Sequence, residues 1–384
     1  MKGKIKIIWL LKSLTIISIL VLIFLPISCQ LGGGVNINIW QEIQNDEWRE
    51  PDQIKRMGLV FENNKQNEDF ANFPVLVVLN SSRVDYGDFK AGGVDIRFYD
   101  ENTTTELSYE IEEWDTGGDS YIWVKVPTAS KKNNTDYIWM YWGDSTAGDV
   151  QDPGTVWSEY KLVYHFAETS GTTVADSATT TAYDGTSASD LTVADSLIGN
   201  GIACTDAPTK QYVDTGYRED LTGWTVEALL KADAAPEIMG AGGFANGPIM
   251  GGQVYNIGWD HNSPTYLGGI QLRDDGAGWL AANLGTLEAD TWYYLAGVYD
   301  SSVPNVKAYN NGVPQTTNTS VTGTLTAASV DVCIGVEDNK NNPINAIVDE
   351  VRISDQVRSA EWIEYTKKVL WDEYLYYTQV QDVN

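Results

Sequence analysis

The sequence predicts an all-β protein: two antiparallel β-sandwiches in tandem, followed by a short C-terminal helix. Three observations carry this reading. Gly, Ser, Thr, Asn, Tyr and Trp are abundant while helix formers are scarce, a composition of sheets joined by long loops. The 384 residues are long for one domain and fit two, at roughly 100–200 residues each. Short runs of β-branched and aromatic residues also recur between turn clusters, as strands of a sandwich do.

Lys2, Lys4, Lys6 and Lys12 precede or interrupt an apolar run ending at Leu25, and no acidic residue occurs before Glu42. A basic start, an apolar stretch and then small residues make a secretory signal, here residues 1–28, which takes no part in the fold. The run ends Leu25-Pro26-Ile27-Ser28-Cys29-Gln30. This resembles the bacterial lipobox, although Pro26 stands where that pattern usually has Leu. The resemblance implies an exported protein lipidated at Cys29 and held at the bacterial cell surface or outer membrane, or released outside the cell. An uncleaved anchor over Ile5–Leu25 is the other reading, since a span needs roughly 20 apolar residues, but Lys12 interrupts it. Residues 29–47 then form a lipid-anchored spacer that includes Gly32-Gly33-Gly34.

Residues 48–158 read as the first sandwich. Strands are expected at Met57–Phe61, Phe73–Leu79, Val94–Tyr99, Leu107–Trp114, Tyr121–Val126 and Tyr137–Trp142. Asn80-Ser81-Ser82, Asp100-Glu101-Asn102 and Gly117-Gly118-Asp119 are the turns between them. Tyr121-Ile122-Trp123-Val124-Lys125-Val126 alternates as a half-buried antiparallel strand should. Phe73-Pro74-Val75-Leu76-Val77, Val94-Asp95-Ile96-Arg97-Phe98, Tyr109-Glu110-Ile111-Glu112, Ile122-Trp123-Val124-Lys125-Val126-Pro127 and Met140-Tyr141-Trp142-Gly143 closely resemble a bacterial surface-protein domain of unknown function. That resemblance brings no activity with it, and such a domain often precedes a laminin-G-like module.

Residues 159–366 contain Tyr164-His165-Phe166, Glu168-Thr169-Ser170-Gly171-Thr172, Asp176-Ser177, Thr225-Val226-Glu227-Ala228 and Trp292–Asp300. With the closing Ile347-Val348-Asp349-Glu350-Val351-Arg352-Ile353, these resemble a laminin-G-like, concanavalin A-like jelly roll. Asn311-Gly312 between two strand-like runs is a type I′ hairpin signal on its own physics. Trp224 and Trp292 are expected in the core. Ser359 caps a helix over Ala360–Leu370 whose Trp362, Tyr365 and Val369 suit packing on a sandwich. The tail, residues 367–384, is aromatic and polar beyond the helix and has no assigned element.

There are 25 Lys and Arg against 53 Asp and Glu, a formal net charge of −28. Four of those lysines lie in the signal, so the exported part is more acidic still. Such a field repels phosphate backbones and excludes nucleic acid as a partner, while offering carboxylates to Ca²⁺. After Cys29 only Cys204 and Cys333 remain, either to pair or to stay as buried thiols. His165 and His261 are the two histidines, which argues against a Cys/His zinc site or a Ser-His-Asp triad. Phosphate-loop, His-Glu-x-x-His and Gly-x-Ser-x-Gly motifs are absent from the sequence.

Three kinds of site are expected or weighed. For Ca²⁺, the jelly-roll resemblance nominates Asp176 and Asp349, with Asp184 as helper; the family's Gly/Asn-rich loop is here Ala178-Thr179-Thr180-Thr181-Ala182-Tyr183. For glycan, the aromatic and polar stretch Gln253–Leu280 nominates Tyr255, Trp259, Asp260, Tyr266, Arg273 and Trp279, because sugars are held by aromatic faces and planar polar groups. For catalysis, Glu110 and Glu112 share one strand face at a spacing that a retaining glycosidase tolerates. A solvated acidic edge is the preferred reading of that run, and no catalytic residue is nominated. The expected function is non-catalytic binding of a polysaccharide or glycosylated surface protein. A structural, adhesive spacer and a polysaccharide hydrolase are the alternatives.

Overall fold

The computed structural model describes residues 54–382, apart from 102–103, 134, 179–182, 206–209, 233–249, 252–255, 261–266, 323–324, 326–329, 337–339 and 341–343. The signal, Cys29, the spacer, Tyr255 and Tyr266 lie outside the described residues. Among those described, no helix is long and apolar enough to cross a membrane.

The first sandwich is built from β1 (Lys55–Phe61), β2 (Phe70–Leu79), β3 (Arg97–Asp100), β4 (Glu106–Leu107), β5 (Tyr109–Glu113), β6 (Ser120–Ala129) and β7 (Tyr137–Trp142). One sheet contains β1, β7, β3 and β4 in that order, and the other runs β2, β6, β5. Each expected stretch holds a strand. The one expected from Val94 begins only at Arg97, because Val94 is helical in backbone and closes a 3₁₀ turn at Ala91–Gly93. In β6, Ile122, Val124 and Val126 fill the core as the alternation requires. Trp123 points the other way and is still fully buried, because the second domain covers that face.

A short helix, α1 (Pro153–Val156), is capped by Asp152, whose carboxylate accepts from Thr155 N–H, and leads into β8 (Tyr160–Tyr164). The jelly roll follows with β9 (Thr173–Val174), β10 (Gly185–Ser187), β11 (Val193–Asp195), β12 (Asn200–Cys204) and β13 (Val213–Asp214). Next come β14 (Gly223–Ala232), β15 (Met250–Gly251), β16 (Asn256–Asp260), β17 (Leu267–Asp274) and β18 (Gly278–Thr286). It closes with β19 (Trp292–Asp300), β20 (Asn305–Asn310), β21 (Val313–Asn318), β22 (Cys333–Ile334) and β23 (Ala346–Ser354). One sheet has the order β18-β17-β16-β15-β22-β13-β10-β9. The other runs β11-β12-β23-β14-β19-β20-β21, with β8 also on β23.

This second sheet is buried on both faces. Val226, Ala228 and Leu230 of β14, with Leu295 and Tyr299 of β19, enter the jelly-roll core. Leu229, Tyr294, Ala296 and Val298 point the other way, into a cluster continuous with the first sandwich. Two-sided burial explains why β14 and β19 read as near-continuous apolar runs rather than clean alternations. Trp224 is fully buried in the jelly-roll core as expected; Trp292 is only half-buried and packs beside the other cluster. Asn311 and Gly312 both take positive φ, 49° and 78°, as the type I′ hairpin between β20 and β21 requires. Cys204 and Cys333 are free and buried, and burial pushes the Cys204 thiol up to about 12.

The helix forms where expected, as α2 (Ala360–Leu370), with the Ser359 hydroxyl accepting from Trp362 N–H at 2.9 Å. Glu361 stands in its first turn and Lys367 and Lys368 in its last, each favouring the helix dipole. Trp362 and Tyr365 pack edge-on against Phe70 and Phe73 of the first sandwich. The tail then adds β24 (Leu375–Tyr377) and β25 (Gln381–Asp382) antiparallel to β1. The first sandwich is therefore completed by residues more than 300 positions later in the chain, such as Tyr376 opposite Val60.

Candidate functional site

Among the described residues, a dense set of titratable side chains lies between the two sandwiches, and two β-bulges build it. On edge strand β5, Ile111 pairs with Ile122 and Glu113 with Tyr121, so Glu112 is the extra residue of a bulge. On β23, Arg352 pairs with Glu227 and Asp349 with Leu229, which leaves Glu350 and Val351 against Ala228 alone. Glu350 takes φ 50°, uncommon for a residue with a side chain and sustained only where surroundings enforce it. His165 follows β8, whose Val163 and Tyr164 pair with Arg352 and Val351. The two bulges and the strand end thus converge.

His165 Nδ1 lies 2.7 Å from Glu350 Oε1 and 3.4 Å from Glu112 Oε2, and Nε2 lies 3.3 Å from Glu110 Oε2. Trp123 donates its indole N–H to Glu112 Oε2 at 2.7 Å, and Trp157 donates to Glu110 Oε2 at 2.5 Å. Ser177 donates to the other Glu110 oxygen at 2.6 Å. Arg352 is paired with Glu350, and its guanidinium lies over the Trp123 and Trp157 rings at 4.4 and 4.7 Å. Behind it, Tyr294 donates to the buried Glu227.

These groups settle one another's charge. Burial opposes a charge on His165, but Glu350, Glu110 and Glu112 together outweigh it and hold the imidazolium well above its usual range. Burial also works against an ionised Glu350, yet Arg352 and His165 prevail and keep it below the usual carboxylate range. Glu110 is likewise lowered, His165 overcoming its burial. Glu112 and Asp349 go the other way: burial first, then repulsion from Glu350, raise both well above normal. Glu110 and Glu350 are thus the two carboxylates of the set held in the charged form, against His165 and Arg352.

The acidic run of β5 is therefore not a solvated edge, which corrects the reading preferred from sequence. β5 is an edge strand, but the jelly roll covers that edge; Glu110 is 8 % exposed and the Glu112 side chain 1 %. Glu110 and Glu112 do share one face, as their spacing required, and both reach His165.

The carboxylates nominated for calcium are engaged with protein donors. Asp176 accepts from the amides of Val163, Ala178 and Tyr183, and Asp184 accepts from the Asp176 amide. Asp349 is fully buried and accepts from the Ser196 hydroxyl and the Glu350 amide. Asp176 and Asp184 thus staple one loop, which touches the cluster through Ser177, while Asp349 adjoins it on β23. A calcium ion would have to share oxygens that already satisfy backbone amides.

Of the residues nominated for glycan, Trp259 and Asp260 fall on β16, Arg273 on β17 and Trp279 on β18, three neighbouring strands of the outer sheet. Arg273 is exposed and directly opposite Trp279 in the ladder. Ile270 and Leu272 enter the jelly-roll core, so Gln271 and Arg273 lie on the face turned away from it. Gln271 is buried there and its amide nitrogen has no protein partner. A further cleft of 670 Å³ opens at the rim of the first sandwich beside Lys55, Arg83 and Asp85. Its cations are paired, Lys55 with Asp88 and Asp382 and Arg83 with Asp372.

Two families match successive parts of the chain, the first running past the boundary expected at residue 158. Residues 92–183 match the family described as Domain of unknown function (DUF2341), and residues 207–364 match the Concanavalin A-like lectin/glucanases superfamily. The chain carries the first followed by the second. No curated protein sequence matches it. Among solved structures, it is similar to domain 4 of AbnA, a GH43 extracellular arabinanase from Geobacillus stearothermophilus, in complex with arabinotriose. That match has 16 % identity and a TM-score of 0.36, over 46 % of this chain and 80 % of that one. The botulinum neurotoxin type G receptor binding domain matches at 12 % identity and a TM-score of 0.41, over 55 % of this chain and 51 % of that one. The binding domain of Paraclostridial Mosquitocidal Protein 1 matches at 9 % and 0.42, over 55 % and 52 %. The chain spans about half the length of these toxin binding domains. Likenesses this low say nothing of a shared ligand.

Proposed function

We propose that this is a non-catalytic carbohydrate-binding protein displayed outside the cell, with the concanavalin A-like domain as its binding module. The observation that carries the proposal is Arg273, exposed on the outward face of β17 with Trp279 opposite it in the ladder. A planar cation and an aromatic position on one sheet are elements that hold a sugar. The match of residues 207–364 to a superfamily of lectins and glucanases supports the same reading. The non-catalytic reading is supported by where the carboxylates weighed for catalysis, and those packed with them, lie. Glu110, Glu112, Glu227, Asp349 and Glu350 are all enclosed between the domains, where a polysaccharide does not reach. Partners would be polysaccharides or glycosylated surface proteins, and export rests on the basic, apolar start of the chain.

A glycan-array screen of the protein, followed by titration calorimetry on the best hit, tests this. The expected result is retention of a restricted set of glycans, lost in Arg273→Ala and Trp279→Ala. No retained glycan together with self-association of the chain would replace the proposal by an adhesive spacer. Release of reducing sugar that Glu110→Gln abolishes would replace it by a hydrolase.

A further inference from the structure

We infer that Glu112, His165 and Glu350 form a binding site for one divalent transition-metal ion, of the zinc class, that ties the two domains together. Their ligand atoms all lie within 4.8 Å of one another. The atoms that converge are His165 Nδ1, Glu350 Oε1 and Glu112 Oε2, with Nδ1 at 2.7 and 3.4 Å from the two oxygens. Ligands about 2.0–2.2 Å from a tetrahedral zinc stand roughly 3.4 Å apart. The ion therefore needs Glu350 Oε1 to move by several tenths of an ångström and Glu112 hardly at all. One nitrogen with two carboxylates suits zinc, manganese or iron better than calcium, which takes six or more oxygens.

Two further observations point to a ligand. Glu112 Oε1 is buried without a hydrogen-bond partner in the protein, on a side chain 1 % exposed. Each of the three ligands also has the outer contact that metal ligands characteristically have. Glu110 stands 3.3 Å from His165 Nε2, the ring nitrogen that would not bind the ion. Trp123 holds Glu112, and Arg352 holds the far oxygen of Glu350. The site joins β5 of the first sandwich to β8 and β23 of the second, so binding the ion also binds the domains.

The test uses the whole protein, unfolded in guanidinium with chelator, stripped, and refolded with Zn²⁺ or Co²⁺. One ion per chain is expected by elemental analysis, together with visible d–d absorption for Co²⁺ and a melting temperature that rises with Zn²⁺ concentration. Glu112→Gln, which can still accept from Trp123, should retain no ion. Glu110→Gln should weaken binding by about 10–100-fold, as loss of an outer contact does, and Asp184→Asn should bind as wild type. Wild-type protein that refolds without an ion and melts identically in Zn²⁺ and chelator overturns the inference and leaves His165 as an imidazolium among carboxylates. Equal binding by wild type and Glu112→Gln overturns it too, by assigning the ions to surface carboxylates. If Glu112→Gln does not fold, the stoichiometry and melting of wild type decide alone.

Discussion

The seam between the domains and the outward face of β16–β18 use the same kinds of residue to opposite ends. At the seam, Arg352 is fully buried, paired with Glu350 and stacked by Trp123 and Trp157. On the outer face Arg273 stands in water opposite Trp279. The difference shows that the most reactive-looking residue set need not be the site a substrate reaches. Concentrated carboxylates here close an interface, and the position suited to a ligand is chemically plainer. The largest effect separating the two regions should come from Arg352→Ala. Removing one member of a buried ion pair costs about 3–5 kcal/mol, because the partner is left buried and uncompensated. Denaturant unfolding should show a loss of that size. Arg352→Met combined with Glu350→Gln should recover part of it. A loss below about 1 kcal/mol would mean that the seam is wetter than its burial implies and would break the contrast.

Asp176 comes next in size and asks whether the acidic loop beside the seam is structural or ion-dependent. Its carboxylate accepts three backbone amides and is 7 % exposed. Asp176→Ala orphans buried donors, each worth about 1–3 kcal/mol, so a loss of about 2 kcal/mol or more is expected. The same loss should appear in calcium and in chelator. A loss confined to calcium-containing buffer would show that Asp176 acts through an ion.

Much of this contrast was legible in the sequence, and the rest has identifiable reasons for being hidden. The strands of the first sandwich, the Asn311-Gly312 turn and helix Ala360–Leu370 followed from period, turn chemistry and a cap, all local signals. The shared face of Glu110 and Glu112 followed from strand parity. What covers that face did not, because His165, Glu350 and Arg352 arrive from the other domain and their contacts are non-local. The bulges at Glu112 and Glu350 carry no glycine to announce them, and Glu350 holds a positive φ without one. Had the covering of β5 been known, Trp123 and Trp157 would have been the clue, as indoles available to bond buried carboxylates. The tail was opaque for a similar reason. Three residues, Leu375–Tyr377, give no period, and their role comes from pairing with β1 at the far end of the chain.

Helix α2 gives a smaller, local check on how the first sandwich is closed. Ser359 caps it and its hydroxyl also donates to Glu68, beside β2. Ser359→Ala should cost about 1 kcal/mol, the usual worth of an N-cap. Because α2 packs on Phe70 and Phe73, the loss should appear in global unfolding. If only the C-terminal residues gain amide exchange, α2 and the strands after it open separately from the sandwich.

The smallest effect on stability should come from Arg273→Ala, and it sharpens the comparison most. Arg273 is exposed on β17, so removing it should change unfolding free energy by no more than about 0.5 kcal/mol. Its effect on glycan retention should be complete, whereas Arg352→Ala should unfold more easily yet retain glycan while folded. That double dissociation is what separates a binding face from a structural seam. If Arg273→Ala instead destabilises the fold by more than about 1 kcal/mol, the residue is holding the β17–β18 ladder together. The binding function would then have to be sought elsewhere on the jelly roll.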